Sequence, residues 1–598
     1  MSDQAQALIS ELRSNQDWQV RRQSALRLAR MPGPGVVQAL SDALDDRDPD
    51  VRQASVVALG SLGDAGAIDA LCRPKLLEDP CAEIRWATVT ALGQIGDLTI
   101  VNALSGALED PEWVVRNQAH LVISDFIRTI PETIDGEQIK DLVRLLAIRD
   151  DEVHALVVDA LARRSTRGLD EMVQALHSKS PVVRAGVAEA LGLSQDPRAV
   201  APLADATRDP VGVVRREAAR ALGRLADPKA VEPLIVCLGD SDMATAKAAV
   251  GALVSLGSAA VEPLCAALRH SISKLHRRNV ILALGGIRDQ RAVFHLLNNL
   301  SNTYYVVRQA AISALSSFGE EVVDELIPMV QVNEVPLDAL VREALEQGNT
   351  RLQLRAVRSL GEIKNAAAIK PLRTLMTDPN PFVQETTQEA LSKIGLAAWA
   401  RYGAVIALGN IGHGKAMPAL IKALKDHSEF VRCEAARALA KVGDAASIPA
   451  LIAVLEGDED TVVRRESAAA LRVLGEQSPV VADAFRQALS DPSWEVRAEA
   501  ARALGRVDDE QSVEPLLAAL EDDSYTVMTS AEHALANLPK LSLPRLLAVA
   551  GGPDSLRLQP ALRALAEILD QSLRGEVVAL AELSQEERRA RLEELTRR

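Results

Sequence analysis

Histidine and cysteine could hold a metal ion in this chain, but their spacing argues against such a site. The sequence contains nine histidines and five cysteines, and a metal site needs several such side chains brought together. The cysteines form no Cys-x-x-Cys pair, so neither a zinc site nor a disulfide framework is indicated. The histidines are scattered, at His120, His154, His177, His270, His276, His295, His413, His427 and His533. We therefore expect no metal and no other cofactor.

The complete motifs of common catalytic sites are also missing from the sequence. It contains no Gly-x-x-x-x-Gly-Lys-Ser/Thr phosphate loop, no Gly-x-Ser-x-Gly nucleophile elbow and no His-Glu-x-x-His motif. The acidic runs at 45–50 and 458–460 lack the glycine and the terminal glutamate of a calcium loop. No catalytic residue is predicted.

One cluster of basic side chains interrupts an otherwise acidic chain. It could bind an anionic ligand, which would be an acidic peptide, a phosphate or a nucleic-acid backbone. A solvated helix face explains the same charges without any ligand. The residues predicted to form this anionic-ligand patch are Arg269, Lys274, Arg277, Arg278 and Arg288.

The aromatic residues are few, and several of them occupy one repeated position. Only 3% of the residues are aromatic, yet five of them precede a valine by two residues, at the start of a predicted helix. Trp and Tyr are enriched where proteins bind partners, so this position is predicted to contact a partner. Alternatively, the rings only pack over the turn between two helices. The predicted contact residues are Trp18, Trp113, Tyr305, Trp494 and Tyr525.

The element that positions these residues is a helical hairpin, which is clearest at residues 211–242. Its first helix carries apolar residues at the spacing of a single helix face, namely Val214, Ala218, Ala221, Leu222 and Leu225. Asp227 and Pro228 then begin a second helix, because Asp caps a helix and Pro is tolerated at its first position. Neither helix can bury its apolar face alone, so the hairpin must stack on further copies.

Copies of this hairpin follow one another along nearly the whole chain, at a period of roughly 30 to 33 residues. Each first helix carries a Val-Arg or Ile-Arg pair, as at 20–21, 51–52, 84–85, 115–116, 183–184, 307–308 and 463–464. The segments 430–455 and 494–524 also repeat the Ala-Leu pair and the Pro-x-Leu opening of the second helix. This pattern resembles the HEAT-repeat family, specifically the short-repeat subgroup named after phycobilisome lyases. The predicted fold is an all-α, right-handed α-solenoid of about seventeen stacked hairpins.

The resemblance implies several functions, because the subgroup includes lyases, hydroxylases and binding proteins. The HEAT-like deoxyhypusine hydroxylases bind iron through His-Glu pairs, and no histidine of this chain precedes a glutamate. We therefore predict a protein-binding scaffold or assembly factor that uses the concave surface of the solenoid, without enzymatic activity. The alternatives are a bilin lyase-type enzyme or chaperone acting on a tetrapyrrole-bearing protein, and nucleic-acid binding through the basic patch.

The arginine of the repeated pair has a structural explanation. In HEAT repeats the equivalent arginine typically pairs with an acidic residue in the turn before its helix. The residues expected to serve here are Asp17, Asp50, Glu83, Glu112 and Glu495.

Irregularities of the period divide the chain into three predicted parts. Extra residues occur at 131–136, and a surplus after Arg308 is explained by an inserted helix at Pro336–Gln347. Residues 382–412 bring two first helices in succession. We predict a HEAT-like array at 1–318, an irregular segment at 319–410 that acts as a possible hinge, and a second array with an end-capping helix at 411–598.

Bulk composition limits the partners. A net charge of -15 argues against a general nucleic-acid role, because phosphate neutralisation by Lys and Arg supplies most of that affinity. No signal-peptide pattern and no run of about 18 apolar residues is found. We expect a cytoplasmic protein that binds one or more proteins and does not insert into a membrane.

Overall fold

The computed structural model is helical and contains no β-strand in the residues that it describes. These are residues 3–96, 100–130, 134–148, 150–271, 273–330, 345, 350–364, 368–475, 478–553, 556–569 and 574–597. The predicted all-α solenoid is confirmed, whereas the number of repeats stays a prediction. The inserted helix predicted at Pro336–Gln347 lies outside the described residues, apart from residue 345.

The chain divides into two compact units, Met1–Ala283 and Leu284–Arg598, and the boundary falls within one helix, α19. The predicted three-part division stays a prediction. The helices up to that boundary are α1 Asp3–Ser14, α2 Trp18–Leu28, α3 Pro34–Ala43, α4 Pro49–Leu62, α5 Ile68–Leu71, α6 Pro74–Leu77, α7 Ala82–Ile95, α8 Ile100–Ala107, α9 Trp113–Thr129, α10 Gly136–Leu145, α11 Asp151–Arg163, α12 Ser165–Ala175, α13 Pro181–Leu193, α14 Val200–Ala206, α15 Gly212–Leu225, α16 Val231–Cys237, α17 Met243–Leu256, α18 Val261–His270 and α19 Lys274–Ile287.

The helices of the second unit continue the same alternation of longer first helices and shorter second helices. They are α20 Val293–Asn298, α21 Tyr305–Ser317, α22 Val323–Met329, α23 Thr350–Ile363, α24 Ile369–Thr374, α25 Pro381–Ile411, α26 Met417–Ala423, α27 Glu429–Val442, α28 Ile448–Gly457, α29 Thr461–Leu474, α30 Pro479–Ala488, α31 Trp494–Leu504, α32 Val513–Ala519, α33 Tyr525–Ala536, α34 Pro539–Ala550, α35 Leu558–Ile568, α36 Arg574–Ala579 and α37 Gln585–Arg597.

The hairpin at 211–242 forms as its sequence predicts. Helix α15 buries Val214, Ala218 and Leu222, and a short 3₁₀ turn leads into α16. The Asp227 side chain caps this turn by accepting the backbone N–H of Lys229 at 2.8 Å. Capping matters because the first donors of a helix have no partner within the helix.

Successive first helices stack closely enough to require glycine at the contact. A Cβ atom added at Gly223 of α15 would lie 2.7 Å from both the Cα and the Cβ of Ala252 in α17. Small residues at these positions let the two backbones approach, which explains why alanine and glycine recur there.

An arginine–aspartate pair ties each regular first helix to the turn before the next one. Arg215 donates from Nε and Nη2 to the two carboxylate oxygens of Asp240, at 2.6 and 2.8 Å. Its Nη1 donates to the carbonyl oxygen of Asp209, at 2.8 Å, in the turn before its own helix. We call these pairs the arginine ladder; they are Arg21–Asp46, Arg52–Asp79, Arg85–Asp110, Arg184–Asp209, Arg215–Asp240, Arg401–Asp426, Arg432–Asp458, Arg464–Asp491 and Arg497–Asp522.

The ladder corrects the expected ion-pair partners. The arginine reaches only backbone carbonyls of the turn before its helix, and its carboxylate comes from the following turn. The predicted partners are therefore wrong, namely Asp17, Asp50, Glu83, Glu112 and Glu495. In two ladder pairs, hydrogen bonds from the guanidinium lower the pKa of the carboxyl group, from Arg85 to Asp110 and from Arg215 to Asp240.

The two successive first helices of the irregular segment are one continuous helix. Helix α25 runs for 31 residues from Pro381 to Ile411, which corresponds to roughly 46 Å at 1.5 Å per residue. The sequence between Lys393 and Arg401 contains no proline and none of the Asp, Asn, Ser or Thr residues that cap a new helix. Its alanines and leucine favour continuation.

The two halves of α25 pack against different parts of the second unit. The first half shares a separate apolar core with α23 and α24, which includes Val357, Leu372 and Ile394. The second half contacts α21 and α27, and a Cβ added at Gly403 would lie 2.9 Å from Leu300. Helices α23 and α24 and the first half of α25, up to Gly395, therefore form a side branch, and α21 is followed in the main stack by the second half of α25.

Two helical stretches are long and apolar enough to cross a membrane by length and composition alone, Met243–His270 and Pro381–Ile411. About half of the apolar window in Pro381–Ile411 is buried inside the protein. A helix that packs against other helices on both sides, as α25 does, is also rich in apolar residues.

Candidate ligand-binding site at the helix junction

Arg308 of α21 occupies a ladder position without a ladder carboxylate. Its Nη1 donates to the carbonyl oxygens of Asn302 and Thr303, at 2.8 and 3.1 Å, as in the regular repeats. Within the described part of the chain, it forms no ion pair. The next ladder arginine in the stack is Arg401, and the aspartate of a regular repeat lies six residues before such an arginine. That position is Gly395, inside α25, so the continuous helix has removed the turn that supplies the carboxylate.

The guanidinium of Arg308 lies over an indole ring, in a layer that lacks the ladder aspartate. The guanidinium carbon of Arg308 lies 4.3 Å from the ring centroid of Trp399 and 5.9 Å from that of Tyr305. Both distances are within the range of cation–π attraction. Burial lowers the pKa of the Arg308 guanidinium. This part-buried cation is therefore stabilised by aromatic rings rather than by an anion.

Further aromatic rings surround Trp399. Tyr402 meets it edge to face, with a centroid distance of 5.5 Å, and Phe430 of α27 stacks on it at 6.0 Å with an angle of 22° between the rings. Burial raises the pKa of Tyr402. We call Tyr305, Arg308, Trp399, Tyr402 and Phe430 the junction cluster.

A cleft of about 800 Å³, which we call the junction cleft, opens beside the junction cluster, between the side branch and the turns that precede α27 and α29. Trp399, Tyr402 and Phe430 form its aromatic wall. Its other lining side chains carry charges of both signs, and the members without a ladder partner are Arg373, Lys425, Glu429 and Glu459. The cleft therefore suits a ligand that has apolar groups and charges of both signs.

The predicted aromatic contact residues are placed as the sequence indicates. All five are exposed, and each is the first residue of its helix. Tyr305 belongs to the junction cluster through Arg308. Contact with a partner stays a prediction for the full set, which comprises Trp18, Trp113, Tyr305, Trp494 and Tyr525.

The predicted anionic-ligand patch is partly engaged within the protein. Arg277 donates to the carbonyl oxygen of Ser271 at 2.6 Å, and Arg278 donates to the side chain of Asn279 at 2.9 Å. Arg269, Lys274 and Arg288 are exposed. Arg288 belongs to the second unit, whereas the other four residues belong to the first. Anion binding by these residues stays a prediction.

Sequence reasoning missed the junction cluster apart from Tyr305. One signal was available, because Gly395 stands where the next repeat should carry an aspartate. The proximity of Arg308 to Trp399, 91 positions further along the sequence, could not be found from repeat spacing, because the side branch separates them in the chain.

A second feature of the sequence has no ligand-binding geometry here. Residues Gly409 to Lys415 have the Gly-x-x-x-x-Gly-Lys spacing of a phosphate loop, without the Ser or Thr that should follow. In the structure Gly409 lies inside α25 and Gly412 ends that helix in a left-handed conformation. A phosphate loop instead joins a strand to the start of a helix.

The stacked helical hairpins define a helical-repeat protein of the α-solenoid class. The chain belongs to the HEAT-repeat family, because the family model for HEAT repeats matches it along most of its length. The matched segments are residues 5–73, 73–136, 139–219, 206–274, 261–345, 337–400, 397–472, 467–536 and 482–566.

Its relatives in this family include enzymes. It is 30% identical to the deoxyhypusine hydroxylase of Mus musculus over 247 residues, which are 40% of this chain and 78% of the enzyme. It is 32% identical to that of Schizosaccharomyces pombe over 215 residues, which are 33% of this chain and 65% of the enzyme. The structure of human deoxyhypusine hydroxylase in complex with glycerol is 24% identical, with a TM-score of 0.20, and covers 42% of this chain and 95% of that chain.

These relatives overturn the predicted function. A protein-binding scaffold or assembly factor was expected from the repeats alone, but proteins related to this chain are named as enzymes. The prediction was wrong because the repeated residues serve the packing of the helices. That packing is the same in enzymes and in non-enzymes of this fold, so it does not indicate function.

The iron site implied by the hydroxylase relatives does not fit the side chains of this chain. No histidine precedes a glutamate, and among the described residues no group of three or more His, Cys, Asp or Glu side chains could hold a metal ion. The histidine–carboxylate contacts of the described residues each involve a single histidine, as between His413 and Glu320 at 3.3 Å and between His120 and both Asp150 and Glu152 at 3.7 and 3.3 Å.

Proposed function

We propose that this chain is an enzyme related to the deoxyhypusine hydroxylases that acts on an amine-bearing side chain of a protein, bound in the junction cleft. The observation that carries the proposal is the 30% identity to the mouse enzyme over 78% of its length. The name of that relative states that it acts on deoxyhypusine, which is an amine-bearing amino-acid residue. Because the described side chains do not fit iron, no hydroxylation is proposed for this chain.

The charges of the cleft support an amine-bearing ligand. Glu429 and Glu459 line the cleft and form no ion pair with another described residue. An ammonium group placed near them gains attraction from both carboxylates, because unpaired charges at a cleft focus the local field.

The aromatic wall supports the same class of ligand. An amine at the end of a methylene chain combines an apolar stem with a cation. Trp399, Tyr402 and Phe430 offer ring surface for the stem and a π face for the cation. Arg308 already shows that the Trp399 ring accepts a cation.

Binding of matched peptides tests the proposal. One peptide carries a deoxyhypusine residue, and its control carries norleucine, which has no amine, at the same position. Calorimetry should show binding of the amine peptide and affinity lower by roughly tenfold for norleucine, which corresponds to one charge-assisted contact. The Glu429→Gln, Glu459→Gln double variant should lose the preference, whereas Glu325→Gln, an exposed change outside the cleft, should keep it. Equal affinity for both peptides would contradict the proposal.

A second experiment tests whether this chain uses iron. The amine peptide is incubated with the protein and ferrous iron, and its mass is then measured by mass spectrometry. We expect no gain of oxygen. A gain of one oxygen atom would show that the side chains of this chain do form an iron site.

We also retain as proposals the narrower subgroup named after phycobilisome lyases, a protein as the binding partner, and a cytoplasmic location. The short period and the Val-Arg pair support the subgroup. Fractionation of the source cells tests the location, and recovery in the membrane fraction would contradict it.

A further inference from the structure

We propose that Arg308 is a receptor for the carboxylate group of a peptide-like ligand whose apolar side group rests on the junction cluster. The proposal concerns the anion-binding edge of one guanidinium. It does not depend on the amine-bearing substrate proposed above, because the two charged groups would bind at different side chains.

The regular repeats show what this guanidinium edge binds. In Arg215, Arg432 and Arg497, Nη1 is fixed by backbone carbonyls of the preceding turn, and Nε and Nη2 donate side by side to one carboxylate. Two parallel donors match the spacing of the two carboxylate oxygens, which makes this a selective contact.

In Arg308, Nη1 is anchored as in the regular repeats, whereas Nε and Nη2 are available to a ligand. Its Nη1 bonds to Asn302 and Thr303 reproduce the anchoring of the regular repeats. Among the described residues, nothing accepts a hydrogen bond from its Nε or Nη2. The guanidinium is only part-buried, so a ligand can reach it. The anchoring removes much of the entropy cost of ordering a long side chain, so the donors are oriented before binding.

The neighbouring rings indicate what else the ligand carries. Tyr305 is 63% exposed and, with Trp399, lies beside the guanidinium. A carboxylate bound at Arg308 would bring the adjoining part of the ligand against these rings. An aromatic or apolar group next to the carboxylate fits that surface, as at the carboxyl terminus of a peptide.

Arg116 provides a matched comparison within the chain. It too is anchored through Nη1, to the carbonyl oxygens of Asp110 and Pro111 at 2.6 and 2.8 Å, and no ion pair with a carboxylate occurs for it in the described residues. It lies outside the junction cluster. A ligand that needs both the guanidinium edge and the aromatic surface should therefore distinguish Arg308 from Arg116.

The test uses N-acetyl-L-phenylalanine and its amide, which has the same ring but no carboxylate, with the full chain. Calorimetry or ligand-observed NMR should detect binding of the acid and binding weaker by roughly tenfold for the amide. Arg308→Gln should weaken binding of the acid by a similar factor, and Arg116→Gln should leave it unchanged. Arg308→Lys keeps the charge but lacks the paired donors, so it should restore only part of the affinity.

Several outcomes would overturn the proposal. They are the absence of binding by the acid, equal binding of acid and amide, or undiminished binding by Arg308→Gln. Circular dichroism of each variant establishes that it is folded, and the Lys variant keeps the test decisive if Arg308→Gln does not fold. Because neither probe carries an amine, failure here is separate from failure of the amine-bearing substrate.

Discussion

Arg401 and Arg308 hold the same position in neighbouring layers of the second unit, and they differ in what covers the guanidinium. Arg401 is paired with Asp426 inside the stack, where the two side chains are 6% and 0% exposed. Arg308 is part-exposed and lies over Trp399. The difference teaches that one missing turn converts a structural arginine into one available for binding.

The largest expected effect is the loss of the Arg401 guanidinium. Arg401→Leu would leave Asp426 buried without its counter-ion, which typically costs about 3–5 kcal/mol of stability. Arg308→Leu loses ring contacts and the hydrogen bonds to the carbonyl oxygens of Asn302 and Thr303. It leaves no buried charge without a counter-ion, so we expect a smaller cost of about 1–2 kcal/mol. Urea denaturation of both variants, followed by helical circular dichroism, measures the contrast.

A rescue experiment sharpens this comparison. Changing Asp426→Asn in the Arg401→Leu background removes the isolated charge and should recover part of the lost stability. Equal losses for Arg401→Leu and Arg308→Leu would show that the ladder and the junction are energetically alike.

Smaller changes in stability are expected when two glycines of α25 are replaced by alanine. A Cβ at Gly409 would lie 2.6 Å from the Cβ of Ala438, whereas a Cβ at Gly395 would meet nothing within 4 Å. We expect Gly409→Ala to destabilise the protein by about 1–3 kcal/mol through overpacking. Gly395→Ala should stabilise it by about 0.5–1 kcal/mol, because glycine lowers helix stability.

Thermal unfolding of the two glycine variants distinguishes these directions. Destabilisation by Gly395→Ala would show that the helix is not continuous through the junction, since only a non-helical backbone there would disfavour alanine.

The smallest change in stability, measured at a single repeat, is expected when the pH is lowered. Hydrogen bonding to arginine lowers the pKa of Asp110 and Asp240 in the folded protein. Their pairs therefore contribute stability that is present above the ordinary aspartate pKa of about 3.9 and is lost as the pH falls through the lowered values. Arg308 has no carboxylate partner in the described residues, so its ring contact has no such dependence.

Hydrogen exchange near pH 6 and near pH 3, corrected for intrinsic rates, tests the acid dependence. Helix α15, which carries Arg215, should lose protection at low pH more than α21, which carries Arg308. A larger loss in α21 would contradict the role assigned to the ladder carboxylates.

The sequence by itself determined the repeating element of this protein. The spacing of Val214, Ala218 and Leu222 and the cap at Asp227 are local properties of the chain, and each formed as predicted. Local spacing suffices there because a helix and its cap depend on residues only a few positions apart.

Only the tertiary structure decided which carboxylate pairs with each arginine and which helices the irregular segment packs against. An arginine can reach the turn before its helix and the turn after its repeat, and stacking selects the second for the carboxylate. The junction cluster depends on the side branch, which brings Arg308 beside Trp399 across a long stretch of chain. Repeat spacing carries no information about that contact, because a continuous helix and two separate helices have the same apolar period.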